Sequence, residues 1–192
     1  MTRVSFLGAR LLPVLLLLLV GCDDGPEAKR SPEPNLRPVT DGAPYFCDLV
    51  PEAAFRGVTG LNIPVDPRWD GPQTDNGLCL AYATGREAPL GVRWSYNDGP
   101  SVLNRVRKKW QDEALHILPP ELGEGLAVIQ STSNPRPNYI IALFRCGKRQ
   151  TWISIDFAPV VRGRDAVRDM VGFMRIAERR FGEVHKCTPK GA

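Results

Sequence analysis

Apolar residues fall along this 192-residue chain in three patterns: one unbroken run near the start, several short alternating stretches, and two stripes at helical spacing. The clearest stripe is the last. Val167, Met170, Val171, Met174, Ala177 and Phe181 recur at steps of three and four, which lines them along one face of a helix, with Asp165 as N-cap and Gly182 as a stop. Val102, Val106 and Trp110 repeat every fourth residue and predict a helix over 101–110, opened by the turn chemistry of Asn97-Asp98-Gly99-Pro100. Its other face carries Arg105, Lys108 and Lys109. A short helix is expected after Asp48, with Pro51 in its first turn, Phe55 inside and Gly57 or Gly60 ending it.

Period-two alternation predicts the strands. Val92, Trp94 and Tyr96 share one face of a strand over 91–96, and Ile153, Ile155 and Phe157 alternate with Trp152, Ser154 and Asp156 over 151–157. Residues 139–144 are apolar at every position, so that strand belongs at the centre of a sheet. Further strands are expected over 77–82 and 126–130, while Pro64, Pro67 and Pro72 make 62–76 read as loop. The order of elements predicts an α+β domain: a mostly antiparallel sheet of about five strands with a C-terminal helix packed on it.

The unbroken run, residues 11–20, is too short for the roughly 20 residues that span a bilayer, and Arg3 and Arg10 give it a positive flank. It reads as a signal peptide over 1–21. Leu19-Val20-Gly21-Cys22 resembles the lipobox of bacterial lipoproteins, which implies diacylglycerol on the Cys22 thiol and cleavage just before it. The coincidence of small residue, cysteine and the polar Asp23-Asp24 outweighs an ordinary signal peptide with an incidental cysteine. Residues 22–44 are rich in proline with almost no apolar mass and read as a flexible tether, leaving 45–192 as a single domain. The expected location is the extracytoplasmic face of the cell membrane, held by the acyl anchor.

Cys47, Cys79, Cys146 and Cys187 form an even set in an exported chain and predict two disulfides. Three connectivities are possible. Pairing Cys47 with Cys79 and Cys146 with Cys187 is preferred, because each bridge then joins neighbouring parts of the chain and Cys187 returns from the last helix to the end of the central strand. The rival use of the cysteines, metal ligation with His116 or His185, lacks any C-x-x-C spacing, so no metal or other cofactor is expected.

Charge and motifs narrow the function classes. The net charge of +4, of which Arg3 and Arg10 supply two, is too small to argue for nucleic acid. No nucleophile elbow, zincin or phosphate-loop motif occurs, so no catalytic residue is assigned; a hydrolase would need His116 or His185 as its base. The carboxylate pairs Glu121 and Glu124, and Asp112 and Glu113, read as solvated. Arg164, Arg168, Arg175 and Arg179 recur in register on the last helix and could meet an anionic surface, although Asp169 and Glu178 interleave them as on any solubilising face. Trp69, Trp94, Trp110 and Trp152 are expected mainly to close a core, with at most one or two of them walling a ligand groove.

With its lipobox, its tether, the start Phe46-Cys47-Asp48-Leu49 and Cys79 on the following strand, the chain resembles the actinobacterial cell-surface lipoproteins grouped as a domain of unknown function. Such chains tend to carry a tryptophan just after the second cysteine, where this one has Leu80 and Ala81. The resemblance implies a PsbP-like sandwich, no established activity and no catalytic residues. The expectation is therefore a non-enzymatic binding or scaffolding lipoprotein for a lipid, a cell-wall polymer or an envelope protein. The alternatives are an envelope hydrolase and a structural accessory subunit of a membrane complex.

Overall fold

The computed structural model describes residues 37–131 and 133–191. The expected signal peptide, Cys22 and most of the tether lie outside them. In chain order the elements are β1 (Tyr45–Phe46), β2 (Val50–Pro51), α1 (Glu52–Thr59), β3 (Val65–Asp70), β4 (Asn76–Ala83), β5 (Arg86–Ser95), α2 (Gly99–Lys109), β6 (Leu115–Ile117), a 3-10 turn (Pro120–Leu122), β7 (Glu124–Ile129), β8 (Asn138–Cys146), β9 (Arg149–Phe157), α3 (Ala166–His185) and β10 (Pro189–Gly191).

Apart from the small β1–β2 ladder, the strands form one sheet of eight in the order β3-β4-β5-β9-β8-β7-β6, with β10 added on β8. Every pairing is antiparallel. The fold is α+β as expected, but the sheet is larger than about five strands. The three extra strands are ones that hydrophobic pattern cannot mark. β3 holds Pro67 and mostly exposed side chains, which an edge strand tolerates because one side of its backbone needs no partner. β6 and β10 are three residues each, too short for any period to register.

Strand alternation divides the core in two. Leu90, Val92 and Trp94 of β5, Ile153, Ile155 and Phe157 of β9, and Ile140 and Phe144 of β8 point to one face, where Phe55 of α1 and Met170, Phe173 and Phe181 of α3 cover them. On the other face Leu126, Val128, Ile141 and Leu143 meet Leu103 and Val106 of α2 and Trp110 at its C-cap. β8 is thus buried on both sides, as its continuous apolar run predicts. α2 is short and lies over β7 to β9, so Leu78, Leu80 and Tyr82 of β4 stay partly open on that face.

Both preferred disulfides are present. Cys47–Cys79 ties the β1–β2 turn to β4 with Cα atoms 5.8 Å apart and a separation of 32 residues. Cys146–Cys187 ties the end of β8 to the chain leaving α3, with Cα atoms 5.4 Å apart and a separation of 41. Loops of this length give about 4 kcal/mol each in the chain-entropy account.

Helix ends differ in detail from expectation. Asp165 caps α3, accepting from the Arg168 amide at 3.0 Å. The helix runs past Gly182 to His185, because Gly182 serves a close approach instead of a stop. A Cβ there would sit 2.6 Å from the Cys187 carbonyl oxygen, and the Cys187 amide donates to the Gly182 carbonyl at 2.9 Å. That contact is what turns Cys187 back toward Cys146. Pro51, not Asp48, occupies the N-cap of α1, and the Asp48 carboxylate accepts instead from the Trp69 indole at 3.0 Å.

Residues 37–44, assigned by composition to the tether, lie against α3. Val39 sits where a side chain on Gly172 would collide with it at 2.9 Å, the Arg37 carbonyl accepts from Arg164 at 2.9 Å, and Asp41 pairs with Arg179. A few polar contacts and the packing of Val39 against the larger core hold a segment that has no apolar run to announce it.

Candidate functional site: a basic cleft between the second helix and the sheet

Where α2 stops short of covering the sheet it leaves a cleft of about 390 Å³. Register builds its floor. Gly91 of β5 stands between Leu80 of β4 and Asp156 of β9, and Asp156 in turn faces Tyr139 of β8. One step along, Arg93 stands between Leu78 and Ser154. Gly91 is needed here for space: a Cβ would lie 2.7 Å from the Asp156 Oδ1, so its missing side chain is what admits the carboxylate.

The roof comes from α2, whose Arg105 and Lys109 are one turn apart and line the same cleft with Val102, Val106 and Trp110. Lys109 Nζ lies 4.8 Å from the centre of the Trp110 ring, and Trp110 meets Tyr139 edge-on at 4.4 Å. Trp152 donates its indole N–H to the Asn97 carbonyl at 2.8 Å, which fixes the ring beside the start of α2. The wall is made by Gln130, Asn134 and Arg136, braced by Asn134, which donates to Gln130 at 2.6 Å and accepts from the Arg136 amide at 2.9 Å.

The electrostatics are uneven. Arg136 pairs with Asp156 and donates to the Ala88 carbonyl at 2.7 Å, with both paired side chains about three-quarters buried. Burial nevertheless holds the Asp156 carboxyl above the ordinary carboxylate range, outweighing Arg136, Arg93 and Lys109, which all pull it down. Burial also pushes the Tyr139 phenol up to about 12, with the Ser154 hydroxyl working the other way, so Tyr139 is a neutral group at any physiological pH. Arg93, Arg105 and Lys109 have no carboxylate within salt-bridge distance among the described residues. With Arg136 and Asp156 cancelling, the cleft keeps three uncompensated positive charges.

The residues singled out in the sequence are scattered. Trp110 and Trp152 line the cleft, while Trp94 is fully buried in the larger core and Trp69 binds Asp48. The arginine row does not form one free face. Arg164 precedes the helix, has a side chain only 4% exposed and chelates Asp169 at 2.5 and 2.6 Å; Arg175 pairs with Glu121 at 2.6 Å; Arg179 pairs with Asp41; Arg168 is exposed. Glu124 pairs with Arg107 at 2.9 Å, far from acting as a partner of Glu121.

His116 is exposed on the edge strand β6. His185 is packed in an aromatic cluster, 4.0 Å from the Phe181 ring and 4.5 Å from that of Trp94, and burial together with Arg149 depresses its pKa. Among the described residues neither histidine hydrogen-bonds a serine, cysteine or carboxylate, and no group of three or more His, Cys, Asp or Glu converges as metal ligands. Among the same residues, no helix is long and apolar enough to cross a membrane.

Sequence reasoning did not find Arg93, Arg136, Tyr139 or Asp156 as a group. The only signal was that Arg93, Ser154 and Asp156 occupy the polar positions of alternating strands, which marks any water-facing side. Fold and cleft define the class: an antiparallel sheet with helices on both faces and a basic hollow on the less covered one. Beyond that class, the chain matches no family model, no curated protein and no solved structure.

Proposed function

We propose that this protein is a non-enzymatic binding module held on the extracytoplasmic face of the cell membrane by an acylated Cys22, and that the cleft under α2 holds its ligand. The address rests on the lipobox-like Leu19-Val20-Gly21-Cys22 and fits the two disulfides, which persist in oxidising compartments. The binding reading is carried by one observation, a concave site of ligand size in which Arg93, Arg105 and Lys109 have no carboxylate partner among the described residues. A protein surface usually spreads charges apart or pairs them. Gathering Arg93, Arg105 and Lys109 around one hollow costs self-repulsion, which a bound anion removes.

Native mass spectrometry of the full chain extracted from envelope membranes tests both halves. The expected result is a mass beginning at diacylated Cys22, with a small molecule that survives in the wild type and is missing in R105W, which fills the mouth of the cleft from its exposed rim. An unmodified Cys22 with the leader attached ends the anchoring half. A ligand retained equally by R105W and wild type ends the binding half.

A further inference from the structure

The geometry points to a phosphate group as what the cleft binds, met from the floor by Arg93 and from the roof by Arg105 and Lys109. This rests on the reading of the cleft as the binding site and names the chemistry of its ligand. Three arguments lead there. The first is charge: a monocarboxylate leaves two of the three uncompensated positives unmatched, whereas a phosphate monoester carries about −1.5 to −2.

The second is shape. The two oxygens of a carboxylate lie in one plane and satisfy a single guanidinium fork, while the oxygens of a phosphate point to several sides at once. Arg93 rises from β5, and Arg105 and Lys109 descend from α2 one turn apart, so donors arrive from opposite sides of the hollow. The third is setting. The Asp156 carboxylate on the floor is engaged by Arg136, which takes its charge out of the way and turns its fork to the wall, where it also holds the Ala88 carbonyl.

Such a group could arrive on a soluble phosphate ester or as a phospholipid headgroup, and the test separates them. Trp110 and Trp152 line the cleft, so tryptophan fluorescence of the full chain in detergent reports occupancy. The probes are inorganic phosphate, glycerol 3-phosphate and its dioctanoyl ester, dioctanoyl phosphatidic acid, at fixed ionic strength, with acetate for comparison. Phosphate and at least one ester are expected to bind at least tenfold more tightly than acetate. R93Q and the double variant R105Q/K109Q should each weaken that binding at least tenfold, and R168Q, on the exposed side of α3, should leave it within twofold.

The three cleft cations are exposed and make no ion pair among the described residues, so their variants should fold; an unchanged thermal melt verifies this. Should one fail to fold, salt titration of the wild type decides the same question, since binding through these cations must weaken as salt rises. A phosphatidic acid affinity tenfold or more above that of glycerol 3-phosphate assigns the source to lipid, and any smaller ratio assigns it to a soluble ester. The inference is overturned if no phosphate probe binds, if acetate binds as well, or if R93Q and R105Q/K109Q bind like wild type. Loss of a native ligand in R105W alongside absent phosphate binding would sink only the ligand class and leave the binding reading standing.

Discussion

Glu178 offers a test of the packing of α3 that is independent of function. It sits on the buried side of the helix, 6% exposed, and its Oε1 has no hydrogen-bond partner among the described residues. Burial raises its pKa from 4.5 to about 8, and the nearby Glu121, kept ionised by its bond to Arg175, adds to the rise. At neutral pH the folded protein therefore holds a proton on Glu178 that the unfolded chain releases. Linkage fixes the sign: a carboxyl with a raised folded pKa contributes stability that is complete below 4.5 and is lost as pH climbs to about 8, after which the profile is flat.

Each pH unit inside that window is worth up to about 1.4 kcal/mol, so Glu178 can lower stability by about 4–5 kcal/mol between its ends. Glu178→Gln keeps the size and removes the titration. Urea unfolding followed by tryptophan fluorescence at pH 5, 6, 7 and 8, with the disulfides intact, gives the difference between variant and wild type at each pH. Asp156, whose pKa is raised, and His185, whose pKa is lowered, tilt both profiles equally and cancel in that difference. A fixed offset of about 1 kcal/mol from the buried amide is compatible with the argument, because the slope is what is diagnostic. The variant should gain steadily on the wild type from pH 5 to 8; parallel profiles would refute the reasoning.

Two further expectations concern the same framework. Asp169→Ala leaves the Arg164 guanidinium buried without its carboxylate, which should cost about 3–5 kcal/mol by denaturant unfolding, and hydrogen exchange should quicken along residues 37–41, whose carbonyl at Arg37 that guanidinium also binds. Loss of stability within experimental error would mean the pair is not desolvated. Gly125→Ala in β7 places a Cβ 2.2 Å from the Ile141 carbonyl oxygen of the neighbouring strand, so the ladder must part; a loss of about 3 kcal/mol or more is expected, and a melting temperature equal to wild type would contradict the close packing of β7 on β8.

Much of the framework was legible because it depends on local spacing. The α3 stripe, the Asp165 cap, the two-sided β8 and the cysteine pairs each follow from residues close in sequence or from simple proximity along the chain. β3 was not legible, since Pro67 and exposed neighbours carry no period, and neither was the docking of 37–44, which depends on backbone carbonyls and single carboxylates meeting arginines more than a hundred residues away. Three of the four arginines do lie on α3, yet their spacing could not reveal that Arg175 and Arg179, like Arg164 just before the helix, already have acidic partners.

The cleft shows the deeper reason why sites of this kind stay hidden in a single sequence. In β5 and β9 the alternation that sends Val92, Trp94, Ile153 and Ile155 to the larger core sends Arg93, Ser154 and Asp156 to the other side, and alternation alone says that side faces water. Whether it faces bulk water or a ligand-sized hollow is decided by a third element, α2, and by how far it reaches. Its Leu103 and Val106 seat it on β7 and β8, so its Arg105 and Lys109 overhang the strands beside them. Two polar faces, each ordinary on its own helix or strand, become one basic site only because the apolar contacts next to them set the two elements at that distance.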